Sequence, residues 1–235
     1  MLRVFIILFV MTAFSQKAWV TEKELTVAII DFAPFYGVDA EKNPVGLLSQ
    51  RVQKILKIAG YKMRPIFVPA KRMAYEISTG NINVWMGVSS FPEFRDTTYI
   101  GDELFLEMTL SIWAYNKEDL PSDLFRDSTK GVVIFGYSYG GLLESLKKRP
   151  ADKYIEAKSI DQASLILKNK RAQYIINYNA PMYFWLKNNP TQKLYSQVIK
   201  SIPCHIVVSK KTPDAERVLI QLERALRKLK TSDNF

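Results

Sequence analysis

The chain has 235 residues, 48% of them apolar and 24% charged. That composition is globular and long enough for one large domain or two lobes, and it excludes a disordered chain, a collagen-like fibre and a polytopic membrane protein. Lys and Arg number 33 against 23 Asp and Glu, a net charge of +10 that brings an anionic partner into view, yet the basic residues are scattered and form no nucleic-acid arm.

The only cysteine, Cys204, has no partner for an internal disulfide, and one cysteine and one histidine (His205) make a metal site implausible. No cofactor is implied. At the N-terminus, Arg3 precedes residues 4–14 (VFIILFVMTAF), an apolar run of signal-peptide length and too short to span a bilayer. Ala13 and Ser15 direct cleavage after Ser15, and Ala18 offers a later site. Residues 1–18 therefore read as a signal peptide of a periplasmic protein. Their removal leaves 31 Lys and Arg against 23 acidic residues, a charge of +8.

Residues 25–30 (LTVAII) are a β-branched strand ending in the turn-rich Asp31-Phe32-Ala33-Pro34. Gly46 opens a helix with Leu47, Leu48, Val52, Ile55, Leu56 and Ala59 on one face, closed by Gly60. A strand over 63–68, a helix over 70–79 stopped by Gly80 and a strand over 82–88 complete a βαβαβ unit with a parallel sheet. A long apolar stretch, 104–115, follows. The pattern then restarts with a strand at 131–135, a helix from Ser138 to Leu146 and a strand at 154–157. Ser159 and Gln162 form a capping box for a helix to Asn169, followed by a strand at 172–176 and a helix at 180–187. After a strand at 206–208, Thr212 as N-cap and Pro213 at the first helical position announce a C-terminal helix. Its apolar face is Val218, Leu222, Ala225, Leu226 and Leu229. Two such units predict two α/β lobes, with ligands beyond the carboxyl ends of the strands.

Seven segments in order then resemble the extracellular solute-binding proteins of family 3, the polar amino-acid-binding type. They are LTVAIIDFAPFY, GLLSQRVQKILKIAGYK, PAKRMAYEISTGNINVWMGVSS, FPEFR, GVVIFGYSYGGLLESL, KNKRAQYIINYNAPMYFWL and IPCHIVVSKKTPDAERVLIQLERAL. The resemblance implies the two-lobed periplasmic-binding-protein fold, each lobe a central, mostly parallel sheet flanked by helices, with the ligand cleft between them. Residues 19–112 and 206–235 would form the first lobe and 113–205 the second, joined near 112–116 and 203–207. It also implies a monomer that captures a small polar solute for a membrane permease of the ABC type or a membrane receptor.

For the site, the resemblance implies that an arginine of the first lobe clamps the solute's carboxylate. Arg95 follows Ser90 by the matching five residues, with Ser89 beside it. A guanidinium fork suits a carboxylate; a surface ion pair with Glu93 or Asp96 is the alternative use. Phe35 and Tyr36 occupy the place of an aromatic wall, and core packing competes with that role. Asp31 is a ligand contact or a loop cap, and Arg72 faces the cleft or solvent. Trp85 reads as core. Ser138 sits at a helix N-terminus, as cap or as anion donor. In YIINYNAP, Asn177, Tyr178 and Asn179 stand where α-amino-acid binders carry an aspartate. Without that carboxylate a buried ammonium has no counter-charge, which favours an anionic or uncharged solute.

One rival comes from another class. Gly136-Tyr137-Ser138-Tyr139-Gly140 matches G-x-S-x-G between a strand and a helix, and Asp152 or Asp161 and then His205 follow in hydrolase order. No HGGG-like oxyanion segment precedes Ser138, and His205 lies in an apolar run, so it reads as a hinge or core histidine.

Overall fold

The computed structural model describes residues 23–126, 128–146, 148 and 153–232. The candidate signal peptide lies outside them. In the first half, β1 (Lys23–Ile29), a short hairpin of β2 (Gly37–Val38) and β3 (Pro44–Val45), α1 (Leu47–Ile58), β4 (Tyr61–Phe67), α2 (Ala70–Thr79) and β5 (Val84–Val88) follow one another. β1 pairs in parallel with β4 and β5, giving the order β4-β1-β5 of a βαβαβ unit. The second half repeats it with β8 (Gly131–Ile134), α3 (Leu142–Leu146), β9 (Tyr154–Ala157), α4 (Ile160–Lys168), β10 (Tyr174–Tyr178) and α5 (Asn179–Asn188). Here β8 lies in parallel between β9 and β10.

Two long strands join the halves. β7 (Leu106–Ala114) runs out of the first lobe, and β11 (Tyr195–Ser209) runs back beside it, antiparallel over most of its length. β11 pairs with β5 and with β6 (Thr98–Ile100), while β7 pairs with β10, so the two lobes share one continuous sheet in the order β4-β1-β5-β11-β7-β10-β8-β9. The architecture is α/β with two parallel modules, and the mixed sheet passes through both. β7 pairs with β10 from Leu110 onward, and the register of β7 with β11 shifts between Val198 and Lys200.

The short strand expected at 206–208 is thus the end of a 15-residue one. Its first half is exposed and mixed in character, which hides it from an apolar pattern. The C-terminal helix α6 (Ala215–Ser232) starts later than its Thr-Pro signal. Thr212 Oγ1 instead accepts from Asn83 Nδ2 at 3.2 Å, and Asn83 also bonds Thr26 on β1, so Thr212 ties the chain end to the first strand. Leu222 and Leu226 of α6 are fully buried, each contributing roughly 1.5–3 kcal/mol.

Candidate functional site

The parallel strands of both lobes end at one cleft. Its outer compartment, about 730 Å³, is lined from the first lobe by residues 29–33, Val38 and residues 67–71, and from the second by Phe135, Tyr137, residues 158–161 and α5. Beneath it lies an inner pocket of about 40 Å³, almost filled by side chains from both lobes.

The floor of the first lobe is set by α1. Gly46, at φ +103°, lets the helix start against the loop before it: Leu47 N donates to Pro34 O and Leu48 N to Phe35 O, at 3.1 and 2.9 Å. A Cβ on Gly46 would stand 2.4 Å from Phe35 O, so only glycine permits this approach. The helix's first N–H groups are therefore spent on holding the loop. That loop presents Phe32 and Tyr36. Tyr36 is buried, donates to Met86 O at 2.5 Å and has its ring 5.4 Å from Trp85.

The second lobe answers with tyrosines. Tyr137 and Tyr178 meet Phe32 edge-on across the cleft, at centroid distances of 5.2 and 5.5 Å. Tyr139 stacks on Tyr178 at 5.7 Å. Tyr139 adopts φ +53°, an uncommon conformation for a bulky residue, and its buried hydroxyl accepts from Ile134 N at 2.5 Å. Burial pushes the phenols of Tyr36, Tyr137, Tyr139 and Tyr178 above the ordinary tyrosine value. For Tyr178 the neighbouring Cys204 and Tyr137 add to the rise, and hydrogen bonding with Ser138 and the Tyr139 backbone opposes it. Among the described residues, no acidic or basic side chain lines the inner pocket.

Charges sit further out. Lys71 and Asp31 of the first lobe and Lys158 and Asp161 of the second line the outer compartment. Asp161 Oδ1 accepts from Trp185 Nε1 at 2.8 Å. Lys71 Nζ lies 4.7 Å from the Phe135 ring centroid, a cation–π contact that crosses the cleft. Gly136, at φ +86°, brings the second lobe's loop against α2, where an added Cβ would lie 3.0 Å from Lys71 N.

Of the residues singled out in the sequence, Tyr36, Ser138 and Tyr178 line the inner pocket and Asp31 the outer compartment. Arg95 is exposed at the end of a 3-10 turn and lines neither. The side chain buried from that turn is Phe94, paired with Phe91 at 5.3 Å, and Phe91 reaches the inner pocket. Ser89 and Ser90 stand outside both compartments, as does half-buried Phe35. Arg72 is exposed and bonded to Glu76 Oε1 at 2.5 Å. Trp85 is core, and its edge also reaches the inner pocket.

Ser138 departs from its expected role as a helix cap. A one-turn 3-10 segment, Tyr139–Gly141, separates it from the five-residue α3, and its hydroxyl makes no capping bond. No histidine or carboxylate hydrogen-bonds to Ser138 Oγ among the described residues, and His205 Nδ1 makes no hydrogen bond to any of them. Of the two candidate acids, Asp152 lies outside the described residues and Asp161 accepts from Trp185 Nε1, so no Ser-His-Asp chain of hydrogen bonds forms among the described residues. Asn177 is fully buried, with its Oδ1 accepting from Tyr178 N at 2.8 Å, so it serves the backbone of β10.

Sequence reading missed Phe32, Tyr137 and Tyr139, although all three flank residues it chose, in DFAP and GYSYG. The signal was an excess of aromatic residues at two strand ends. Lys71, Lys158 and Phe184 carry no comparable local signal.

The chain is similar in structure to holo arginine-binding protein of T. maritima, with a TM-score of 0.68 and 21% identity over 88% of this chain and 90% of that one. It is also similar to an ancestral arginine-binding protein bound to arginine (TM-score 0.70, 20% identity, 89% and 93% covered). A third likeness is the GluR0 ligand-binding core in complex with L-glutamate (TM-score 0.71, 11% identity, 88% and 94% covered). No protein-family model and no curated protein sequence matches the chain. The fold is that of the two-lobed type II periplasmic binding proteins, as the resemblance read from the sequence implies.

Proposed function

We propose that the chain is an exported solute-binding protein that captures a small solute between its lobes and presents it to a membrane partner. The observation that carries this reading is a cleft built from both lobes whose walls touch across it, Phe32 against Tyr137 and Tyr178, and Lys71 against Phe135. A solute seated there contacts both lobes at once, so its binding energy acts on their separation. The arginine- and glutamate-bound proteins of similar fold support capture of a small organic solute.

Native mass spectrometry of protein recovered from a periplasmic extract, followed by a thermal-shift screen of amino acids, carboxylates, phosphorylated solutes and sugars, tests the reading. A solute at 100 times its Kd adds about 2.7 kcal/mol, a shift easily seen, and small-angle scattering should show a more compact particle. A saturable shift with no change in compaction would count against capture between lobes.

The membrane partner is a permease of the ABC type or a receptor. Loss of labelled-solute uptake on deletion of the protein identifies the permease; unchanged uptake with loss of a solute-triggered response identifies the receptor. No helix among the described residues is long and apolar enough to cross a membrane. Export by the N-terminal segment predicts a mature protein beginning at Gln16 or Trp19, read by intact-mass measurement; a soluble cytosolic chain retaining Met1 would contradict it.

A further inference from the structure

The outer compartment is an unusual place for exposed hydrophobic side chains. Val38 and Phe67 on the first lobe and Phe135 and Phe184 on the second are 49%, 38%, 46% and 43% exposed, and all four line it. Apolar side chains left in water on facing walls of one concave site mark a surface meant to be covered. The same walls carry Lys71, Lys158, Asp31 and Asp161, so both signs of charge are present. Below, the aromatic cluster closes the floor and leaves about 40 Å³. No charge there can meet an ammonium or a carboxylate.

We infer that the solute is an amphipathic zwitterion larger than a free amino acid, with the chemistry of a peptide of two or three residues bearing apolar side chains. This rests on the capture reading above and adds the class of ligand and its position. Its apolar groups lie on Phe67, Phe135 and Phe184. Its carboxylate lies toward Lys158 and Lys71, and its ammonium toward Asp31. The outer volume, about 730 Å³, accommodates such a molecule, whereas a single amino acid leaves most of it as water. Arginine or glutamate also offers little apolar surface to the phenylalanines. The charged ends stay in the wetter compartment, where partial solvation lowers the cost of holding them.

The test uses the mature protein and calorimetric titration with Leu-Phe, Val-Phe and Ala-Leu-Phe, beside L-arginine, L-glutamate and L-phenylalanine. At least one peptide is expected to bind ~tenfold or more tightly than every free amino acid. Phe184→Ser removes one exposed wall residue, so its unliganded melting temperature is expected to stay near wild type while peptide affinity falls ~tenfold, the scale of uncovering one phenyl group. Lys158→Gln is expected to weaken Leu-Phe more than Leu-Phe amide, because the amide has no carboxylate to lose. If a free amino acid binds as tightly as the peptides and Phe184→Ser leaves it unchanged, the inference is overturned and capture between lobes stands. If no peptide binds, the inference is overturned, and the capture reading is judged by the broader screen. Equal losses for Leu-Phe and its amide in Lys158→Gln overturn the placement of the carboxylate.

Discussion

At the scale of single residues, burial decides chemistry more than residue type does. Cys204 is fully buried on β11, and that burial pushes its thiol up to about 12. The thiolate is the reactive form, so native protein at pH 8 is expected to leave Cys204 unlabelled by a thiol-specific disulfide reagent, with one equivalent reacting after unfolding in guanidinium. The sign of the pH effect follows. The folded state favours the neutral thiol, so this contribution is intact below the unfolded value near 9 and is lost as pH rises toward 12. Rapid labelling of native protein would show that β11 opens. Arg95 gives the opposite case, a residue chosen for its chemistry that the fold leaves in solvent. Arg95→Ala is expected to keep both the unliganded melting temperature and the ligand-induced shift within experimental scatter; abolition of the shift would place the guanidinium on the solute after all.

At the scale of elements, α1 and the loop before it behave as one unit. The loop's carbonyl groups take the helix's first N–H groups, and the same loop holds Phe32 and Tyr36 in the cleft. Gly46→Ala forces a Cβ into Phe35 O and strains a positive φ, so a loss of about 1–3 kcal/mol is expected. Chemical denaturation measures the stability, and ligand affinity should fall with it because the aromatic floor is displaced. Gly60→Ala is the control: it shares a positive φ at the other end of the same helix, but its added Cβ meets nothing within 4 Å. If it costs as much as Gly46→Ala while ligand affinity is unchanged in both, the contact with Phe35 is unimportant.

At the scale of the whole molecule, the two lobes are linked through β7 and β11 and through contacts at the cleft. Lys71 over Phe135 is one such contact, worth about 0.5–1 kcal/mol at a solvent-accessible site. Lys71→Ala is therefore expected to raise the ratio of open to closed unliganded protein by about two- to five-fold, seen as a larger radius of gyration in small-angle scattering. No change in the radius would show that the Lys71–Phe135 contact does not hold the lobes closed. Lys200 of β11 donates to Gly140 O at 2.9 Å, which holds the tyrosine loop to that strand.

Sequence alone determined the βαβαβ repeat, the amphipathic faces of α1 and α6, the capping of α4 by Ser159 and the two-lobed fold. These rest on periodicity and on contacts within a few residues, such as Ser159 Oγ accepting from Gln162 N. The tertiary structure alone decided that β11 is a long strand threading both lobes, that Phe94 turns inward where Arg95 turns out, and that Tyr137 and Tyr178 face Phe32 across the cleft. Each of those outcomes depends on partners distant in the chain. Tyr178 meets Phe32 across 146 positions of sequence, and β11 finds hydrogen bonds on β5, β6 and β7 despite an exposed, mixed first half. A local pattern records which side chains prefer to be buried; which of them share a pocket is settled only when the strands are brought side by side.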